Sequence, residues 1–357
     1  DVDYAVINSN YAINAGLNPV NDSLLIEGSA SAYANILTVK EGNETSPKAL
    51  ALKAALESKQ VADFIAERYA GSVVSVVENP TDGYDATVDY DALKGETITE
   101  YQASQKLYSF REQRENFKGD SFTAILAYRD NAAMMHYAPK AEGSAVIKPE
   151  HFLLNDSGGQ YFTGTTDTTR TFAMGELTDE ERRDYTIVLK SVIAMSTAVF
   201  KEGMTGYGLD ILCREGLWKY GLDYRCGTGH GVGHILNVHE GPNGFRWRQS
   251  PERSEGSVLE EGMITTDEPG LYIEDAYGIR IESELLCRKG VKNEFGQFMY
   301  FRNLTCAPIE LDAIDVNALT TTERRWLNEY HTAVYETVAP HLTEDERVWL
   351  RGVTRAI

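Results

Sequence analysis

Apolar residues recur every three or four positions in several stretches of this chain, the spacing of a helix with one buried face. Tyr185, Val188, Val192, Met195 and Val199 form the longest such stripe. A TDEE capping box at 178–181 opens it and Gly203 stops it, which predicts a long helix packed into a core. The TITE at 97–100 reads as another capping box, opening a helix that carries Ala103, Leu107 and Phe110. TTERRWLNEYHTAV puts Trp326, Tyr330 and Val334 on one face, and TGYGLDILCREGLWKYG reads as a helix ending in Gly221. SFTAILAY reads as a strand, and from Gly221 to about residue 310 the chain is Gly-rich and strand-like.

Residues 1–77 read as a small α/β piece. DYAVINSNYAINAG begins as a strand and turns helical, and SLLIEG and YANILTVK look like short strands. Ser46 and Pro47 start a helix carrying Leu50 and Leu56, with Pro at the first helical position. A second helix carries Val61, Phe64, Ile65 and Tyr69, and VVSVV closes the piece as a strand. Residues 78–95 are acidic, with a Pro and two Gly among Asp and Tyr, and form a junction. The predicted organisation is a front piece at 1–77, a junction at 78–95, a main domain at 96–310 and a helical extension at 311–357.

Composition narrows the function. The chain has 357 residues, 42% hydrophobic and 25% charged, as expected of a soluble globular protein. A net charge of −20 argues against nucleic acid as a partner, because phosphate binding needs a basic surface. No apolar run is long enough to span a membrane, and the first residues show no basic start followed by an apolar run, so no signal peptide is expected. Cys213, Cys226, Cys287 and Cys306 form no CxxC pair, so free thiols in a reducing cytoplasm are expected.

The chemistry gathers around HFLLNDSGGQYFTGTTDTTR, which reads as two short strands joined by a Gly-containing turn. It holds Asp156 and Asp167, which a strand pair can bring onto one face. Two carboxylates held close repel unless a proton or cation lies between them. Taken alone, each is equally a turn or cap residue. GTGHGVGHILNVHEGP adds His230, His234 and His239, TTDEPGLY adds Glu268, and GIRIESELL adds Glu282. In the last run, alternation puts Arg280, Glu282 and Glu284 on one face, which is either solvated or the lining of a polar, metal-filled cleft. Two Asp, one His and two Glu make a hard, oxygen-rich donor set suited to a pair of divalent ions. Such a pair can lower the pKa of a shared water and polarise a carbonyl, which implies hydrolysis without a covalent intermediate.

In NAAMMHYAP, LLNDSGGQY, GTTDTTRT, GTGHGVG, LNVHEGP, TDEPGLY and YGIRIE, the chain from about 97 to 357 resembles the aminopeptidase P branch of the creatinase/methionine aminopeptidase-like (M24) metallopeptidases. The tail WLNEYH resembles the C-terminal extension of the larger, cytosolic-type members. The resemblance implies an α+β pita-bread fold, a curved antiparallel sheet flanked by helix pairs, in a cytoplasmic protein. It implies two divalent ions, Mn2+ in most members with Co2+ or Zn2+ in some, held by Asp156, Asp167, His230, Glu268 and Glu282. Asp167 and Glu282 would bridge the ions, and Glu268 would also handle the proton of the attacking water. His136 and His239 would hold the substrate and the developing oxyanion, and Arg280 would orient the carboxylates. His234 receives no role. Cys226 and Asn155 depart from the residues usual in close relatives, leaving the metal set untouched.

The implied reaction is cleavage of the N-terminal X-Pro bond of peptides, with a pocket shaped to the pyrrolidine ring. Tyr137, Phe122 and Phe245 are candidates for its walls, or plain core. Family members of this size carry N-terminal domains that help them dimerise; here the 1–77 piece is expected in their place, and a homodimer stays open as one assembly. Competing expectations are a prolidase-type dipeptidase and a non-catalytic peptide-binding module on the same fold, which the full ligand set argues against. Residues 1–77 resemble the C-terminal part of the methionine-binding lipoproteins of ABC importers, in DYAVINSNYAINAGLNP, SAYANILTV and FIAERYAGSVV. Asn10 matches a methionine-touching asparagine there, or is a helix cap; methionine binding by so small a remnant is not expected.

Overall fold

Thr99, and not Thr97, caps the first helix of the main unit: its hydroxyl accepts from Gln102 N–H and the Gln102 side chain returns the bond. The TITE pattern therefore misleads by two residues, because Glu100 is buried elsewhere. The computed structural model describes residues 53, 56–69, 73, 75, 77, 80, 97–249 and 256–357. The chain divides into two units, Asp1–Glu96 and Thr97–Ile357. In the first, helix α1 (Lys59–Tyr69) carries Val61, Phe64, Ile65 and Tyr69 as expected. Val73, Ser75 and Val77 lie outside any strand, against expectation. The expectations for Asn10 and for the strands before residue 50 fall outside the described residues.

The second unit begins with α2 (Glu100–Glu112), β1 (Phe117–Asp120) and β2 (Ile125–Tyr128). The 151–170 run folds as β3 (Phe152–Ser157), β4 (Gly159–Tyr161), β5 (Gly164–Thr165) and the start of β6 (Thr168–Ala173). Helix α3 (Asp179–Ser196) keeps the predicted Thr178–Glu181 capping box. It ends at Ser196, short of Val199, because Thr197 turns its hydroxyl back onto the Ile193 carbonyl and Val199 joins β7 (Val199–Lys201) opposite Tyr300. The predicted single helix before Gly221 is two, α4 (Gly206–Leu209) and α5 (Ile211–Trp218). Then follow β8 (Gly229–Val232), β9 (His239–Phe245), β10 (Ile264–Asp267), β11 (Gly270–Ile273), β12 (Tyr277–Arg280), β13 (Ser283–Asn293) and β14 (Gly296–Asn303). Helices α6 (Thr321–Val338) and α7 (Glu344–Val353) close the chain.

All the described strand pairings are antiparallel. A six-stranded sheet runs β7-β14-β13-β10-β8-β9, and a three-stranded sheet runs β2-β3-β6. Helix α3 stitches two cores together. Val188 and Val192 pack with Leu271, Ile279 and, from α6, Leu327 and Val334. Met195 packs with Phe245, Leu285 and Phe301. Phe245 is thus core, while Phe122 and Tyr137 pack beside β2 and β3. Among the described residues no helix is long and apolar enough to cross a membrane.

His331, on the buried side of α6, accepts the Ile309 N–H through Nε2 at 3.0 Å. Burial, with the Arg170 and Arg355 charges, pushes its pKa down to about 4. The folded protein therefore keeps this ring neutral where the unfolded chain, near pH 6.5, would protonate it. Its contribution is full above pH 6.5 and is lost as pH falls toward 4, by up to about 3 kcal/mol. His331→Gln keeps an acceptor and removes the titration. Urea unfolding at pH 7 and pH 4.5 should show a smaller acid loss in the variant, and equal losses would refute the assignment.

Candidate metal centre

Strand pairing explains how distant residues meet. Asp156, on β3, lies opposite Thr169 of β6, and Asp167 immediately precedes β6. His230 sits on β8, which crosses so close to β10 that a Cβ on Gly229 would lie 1.8 Å from the Thr266 carbonyl oxygen. Glu268 follows β10, and its N–H donates to the Thr228 carbonyl at 2.8 Å. Glu282 lies where the chain leaves β12 for β13, so the predicted continuous strand is broken there. Its N–H donates to the Thr169 carbonyl and its own carbonyl accepts from Arg170.

The result is a buried cluster. Ligand atoms of Asp167, His230 and Glu282 lie within 4.8 Å of one another. His230 Nε2 is 3.4 Å from Asp167 Oδ2 and 3.4 Å from Glu268 Oε1. The His230 Nδ1 lies 2.9 Å from the Gly231 carbonyl, which can only accept, so Nδ1 carries a proton. In the neutral ring the Nε2 lone pair then faces two carboxylate oxygens. Such a convergence of acceptors calls for a proton or a cation between them. Asp156 Oδ1 is buried with no hydrogen-bond partner, while its Oδ2 accepts from Arg280 at 2.5 Å. The His230 lone pair, together with an orphaned oxygen of Asp156, whose charge bears on Asp167, Glu268 and Glu282, fits a divalent ion.

Electrostatics say the same. Burial, then the Asp156, Glu268 and Glu284 charges, holds the Asp167 carboxyl well above the usual range. Burial, then Asp167, Glu268 and Asp156, does so for Glu282. Glu268 is raised by burial and by Asp156, against the pull of His230 and Arg280. Burial opposes the Arg280 charge, yet Tyr272, Asp156, Glu268 and Glu282 keep it well above its ordinary value.

The charged face of Arg280, Glu282 and Glu284 is buried, so it is no solvent face. Arg280 also donates to Thr169 Oγ1 and to the Tyr272 hydroxyl. The His239 ring lies against His230, centroids 4.0 Å apart. His136 is exposed on the loop after a 3-10 turn at Arg129–Ala133. His234, left without a role, donates from Nε2 to the Tyr161 carbonyl at 3.1 Å. The Cys226 carbonyl accepts from Arg214.

Sequence reasoning missed several supports. Thr169 Oγ1 donates to Glu282 Oε2 at 2.7 Å and Thr171 Oγ1 to the Arg280 carbonyl at 2.9 Å. Alternation from Asp167 along TTDTTRT would have found both. Thr266 accepts the His230 N–H and donates to Glu268. Glu284, pushed up to about 7 by burial, accepts the Asp167 N–H.

The profile of metallopeptidase family M24 matches residues 81–289, and that of the C-terminal region of peptidase M24 matches 297–357. The NlpA lipoprotein profile matches residues 1–77. A probable Xaa-Pro aminopeptidase P of Laccaria bicolor is 44% identical over 273 residues, 75% of this chain and 42% of that protein. Aminopeptidase P1 of Lotus japonicus is 41% identical over 266 residues, 73% of this chain and 39% of that protein. The chain thus spans under half the length of these curated relatives. The crystal structure of X-prolyl aminopeptidase from Caenorhabditis elegans, described as a cytosolic enzyme with a di-nuclear active site, superposes with a TM-score of 0.69 at 38% identity. That match covers 74% of this chain and 43% of the nematode one. The pita-bread fold, the ordered motifs and the profile match together make this chain a member of metallopeptidase family M24.

Proposed function

We propose that this chain is an aminopeptidase that removes the first residue from peptides with proline second, using two divalent ions. The observation that carries this is the convergence of the His230 Nε2 lone pair with carboxylate oxygens of Asp167 and Glu268, with Asp156 Oδ1 buried and unpartnered. Asp156, Asp167, His230, Glu268 and Glu282 would hold the ions, with Mn2+ favoured by the oxygen-rich set and Co2+ or Zn2+ as alternatives. When bound, such ions supply Lewis acidity that polarises a carbonyl and lowers the pKa of a water. The relatives named for X-Pro cleavage support the substrate class.

The chain's own residues do the remaining work. Arg280 and Thr169 hold Asp156 and Glu282 in place, which keeps the carboxylates from rotating away from one another. Glu268, its carboxyl made more basic by burial, takes a proton from the attacking water and delivers it to the prolyl nitrogen as the C–N bond breaks. An amine departs only once its nitrogen is protonated, so C–N cleavage depends on this delivery. His136 and His239 contact the substrate carbonyl and the oxyanion. A cytoplasmic location is proposed by analogy with the nematode enzyme.

The test is direct. Protein stripped by a chelator and reloaded with Mn2+ should bind two equivalents and release the first residue of an X-Pro-Y peptide, leaving X-Ala-Y intact. Cleavage of X-Pro alone would assign a dipeptidase instead. Folded, metal-loaded protein inert on both would overturn the proposal.

A further inference from the structure

Glu100 is fully buried, and its carboxylate is satisfied entirely by neutral donors. Oε1 accepts from Tyr128 N–H at 2.6 Å and from Asn131 Nδ2 at 2.9 Å. Oε2 accepts from the Tyr137 hydroxyl at 2.6 Å, from Ala145 N–H at 2.9 Å and from Asn131 Nδ2 at 3.2 Å. The residue sits in the first turn of α2, where the helix dipole favours a negative charge. The donors flank one segment: Tyr128 ends β2, Asn131 lies in the 3-10 turn, Tyr137 follows His136, and Ala145 ends the loop. The loop that carries His136 is thus gathered at both ends and in its middle onto one carboxylate.

We infer that Glu100 is a positioning residue for His136, clasping the 129–145 loop so that the imidazole is held where the substrate carbonyl arrives. This rests on the function proposed above. An exposed histidine on an unclasped loop would sample many rotamers, and a group needed only in the transition state loses rate when it is misplaced. Tyr137 supports the clasp: burial, then its bond to Glu100, raises its hydroxyl to about 12, so it stays a donor at neutral pH.

Two variants test the clasp. Glu100→Gln keeps one acceptor oxygen but turns an amide N–H2 on the Ala145 and Tyr137 donors. Tyr137→Phe removes a single arm. Each should lower kcat on an X-Pro-Y peptide by about ten-fold with KM within about two-fold. Each should also speed amide exchange across 129–145 by about ten-fold while β13 and β14 keep their protection. In a His136→Ala background either change should cost less than about two-fold, because the group it positions is gone. Equal cost in both backgrounds, or unaltered exchange across 129–145, would overturn the inference. Wild-type protein inert on X-Pro-Y would sink the proposed function alone, since the exchange measurement reads the clasp without turnover.

Discussion

Asp167→Asn should lower X-Pro-Y hydrolysis by at least about a thousand-fold, some 4 kcal/mol of transition-state stabilisation, while leaving the metal-free protein no less stable. The two halves have one cause. Asp167 is 3% exposed, and its charged form is opposed by burial and by Asp156, Glu268 and Glu284. A carboxyl whose folded pKa is raised stabilises the fold at low pH, and that contribution is lost as pH rises through the folded value. At neutral pH the folded apo protein therefore disfavours this carboxylate relative to the unfolded chain, and asparagine removes that penalty with little change of shape. The Asp167 N–H bond to Glu284 is backbone and survives. The same substitution removes the anion that a cation would neutralise. The Mn2+-induced rise in melting temperature, which reports RT ln(1 + [L]/Kd), should shrink in the variant. Calorimetry with and without Mn2+, alongside steady-state rates, checks both halves. Wild-type activity would remove Asp167 from the reaction. A clearly destabilised apo variant would show that its charge supports the fold.

Much of the second unit was legible because its signals are local. The Thr178–Glu181 box, the Tyr185–Val188–Val192 stripe and the Trp326–Tyr330–Val334 face each needed only one helix turn to be read. The residues singled out for a metal come from separate segments, and the structure gathers Asp167, His230 and Glu282 within reach of one ion. Their residue types carried that reading, since few other chemistries use two Asp, two Glu and a His. What stayed hidden depends on tertiary partners. Glu100 looked like the N3 glutamate of a capping box, but four donor groups from elsewhere in the chain outcompete one helix N–H for its carboxylate. Val199 continued a helical stripe and was taken by β14 instead, because an exposed β-branched residue pairs well in a strand. The alternation of Arg280 and Glu284 was visible, but whether water or other carboxylates faced it was decided by β3 and β6.

Arg214→Met should be the most destabilising of these changes, by about 3–5 kcal/mol, a fall in melting temperature of roughly 10 °C. Arg214 is fully buried on α5. Its Nε donates to Asp210 Oδ2 at 2.6 Å, Nη1 to Asp223 Oδ1 and the Tyr224 carbonyl, and Nη2 to the Cys226 carbonyl at 2.8 Å. Its guanidinium also lies 3.9 Å from the centre of the Tyr224 ring. Methionine fills similar volume but leaves Asp210, also fully buried, without its cation, and leaves two carbonyls without donors. The cost of the stranded charge exceeds whatever the pair contributed when intact. The double variant Asp210→Asn/Arg214→Met should therefore recover more than half of the loss, which additive effects could not do. The damage should also reach the metal centre. Asp210 Oδ1 accepts from Thr228 Oγ1 at 2.6 Å, and the Thr228 carbonyl receives the Glu268 N–H. Loosening this network frees the Tyr224–Thr228 approach to β8, where His230 sits. Urea unfolding of the two variants, with Mn2+ affinity measured beside it, separates the possibilities. A single variant within about 1 kcal/mol of wild type would mean that water replaces the guanidinium freely, and that the 223–228 turn holds its shape without Arg214.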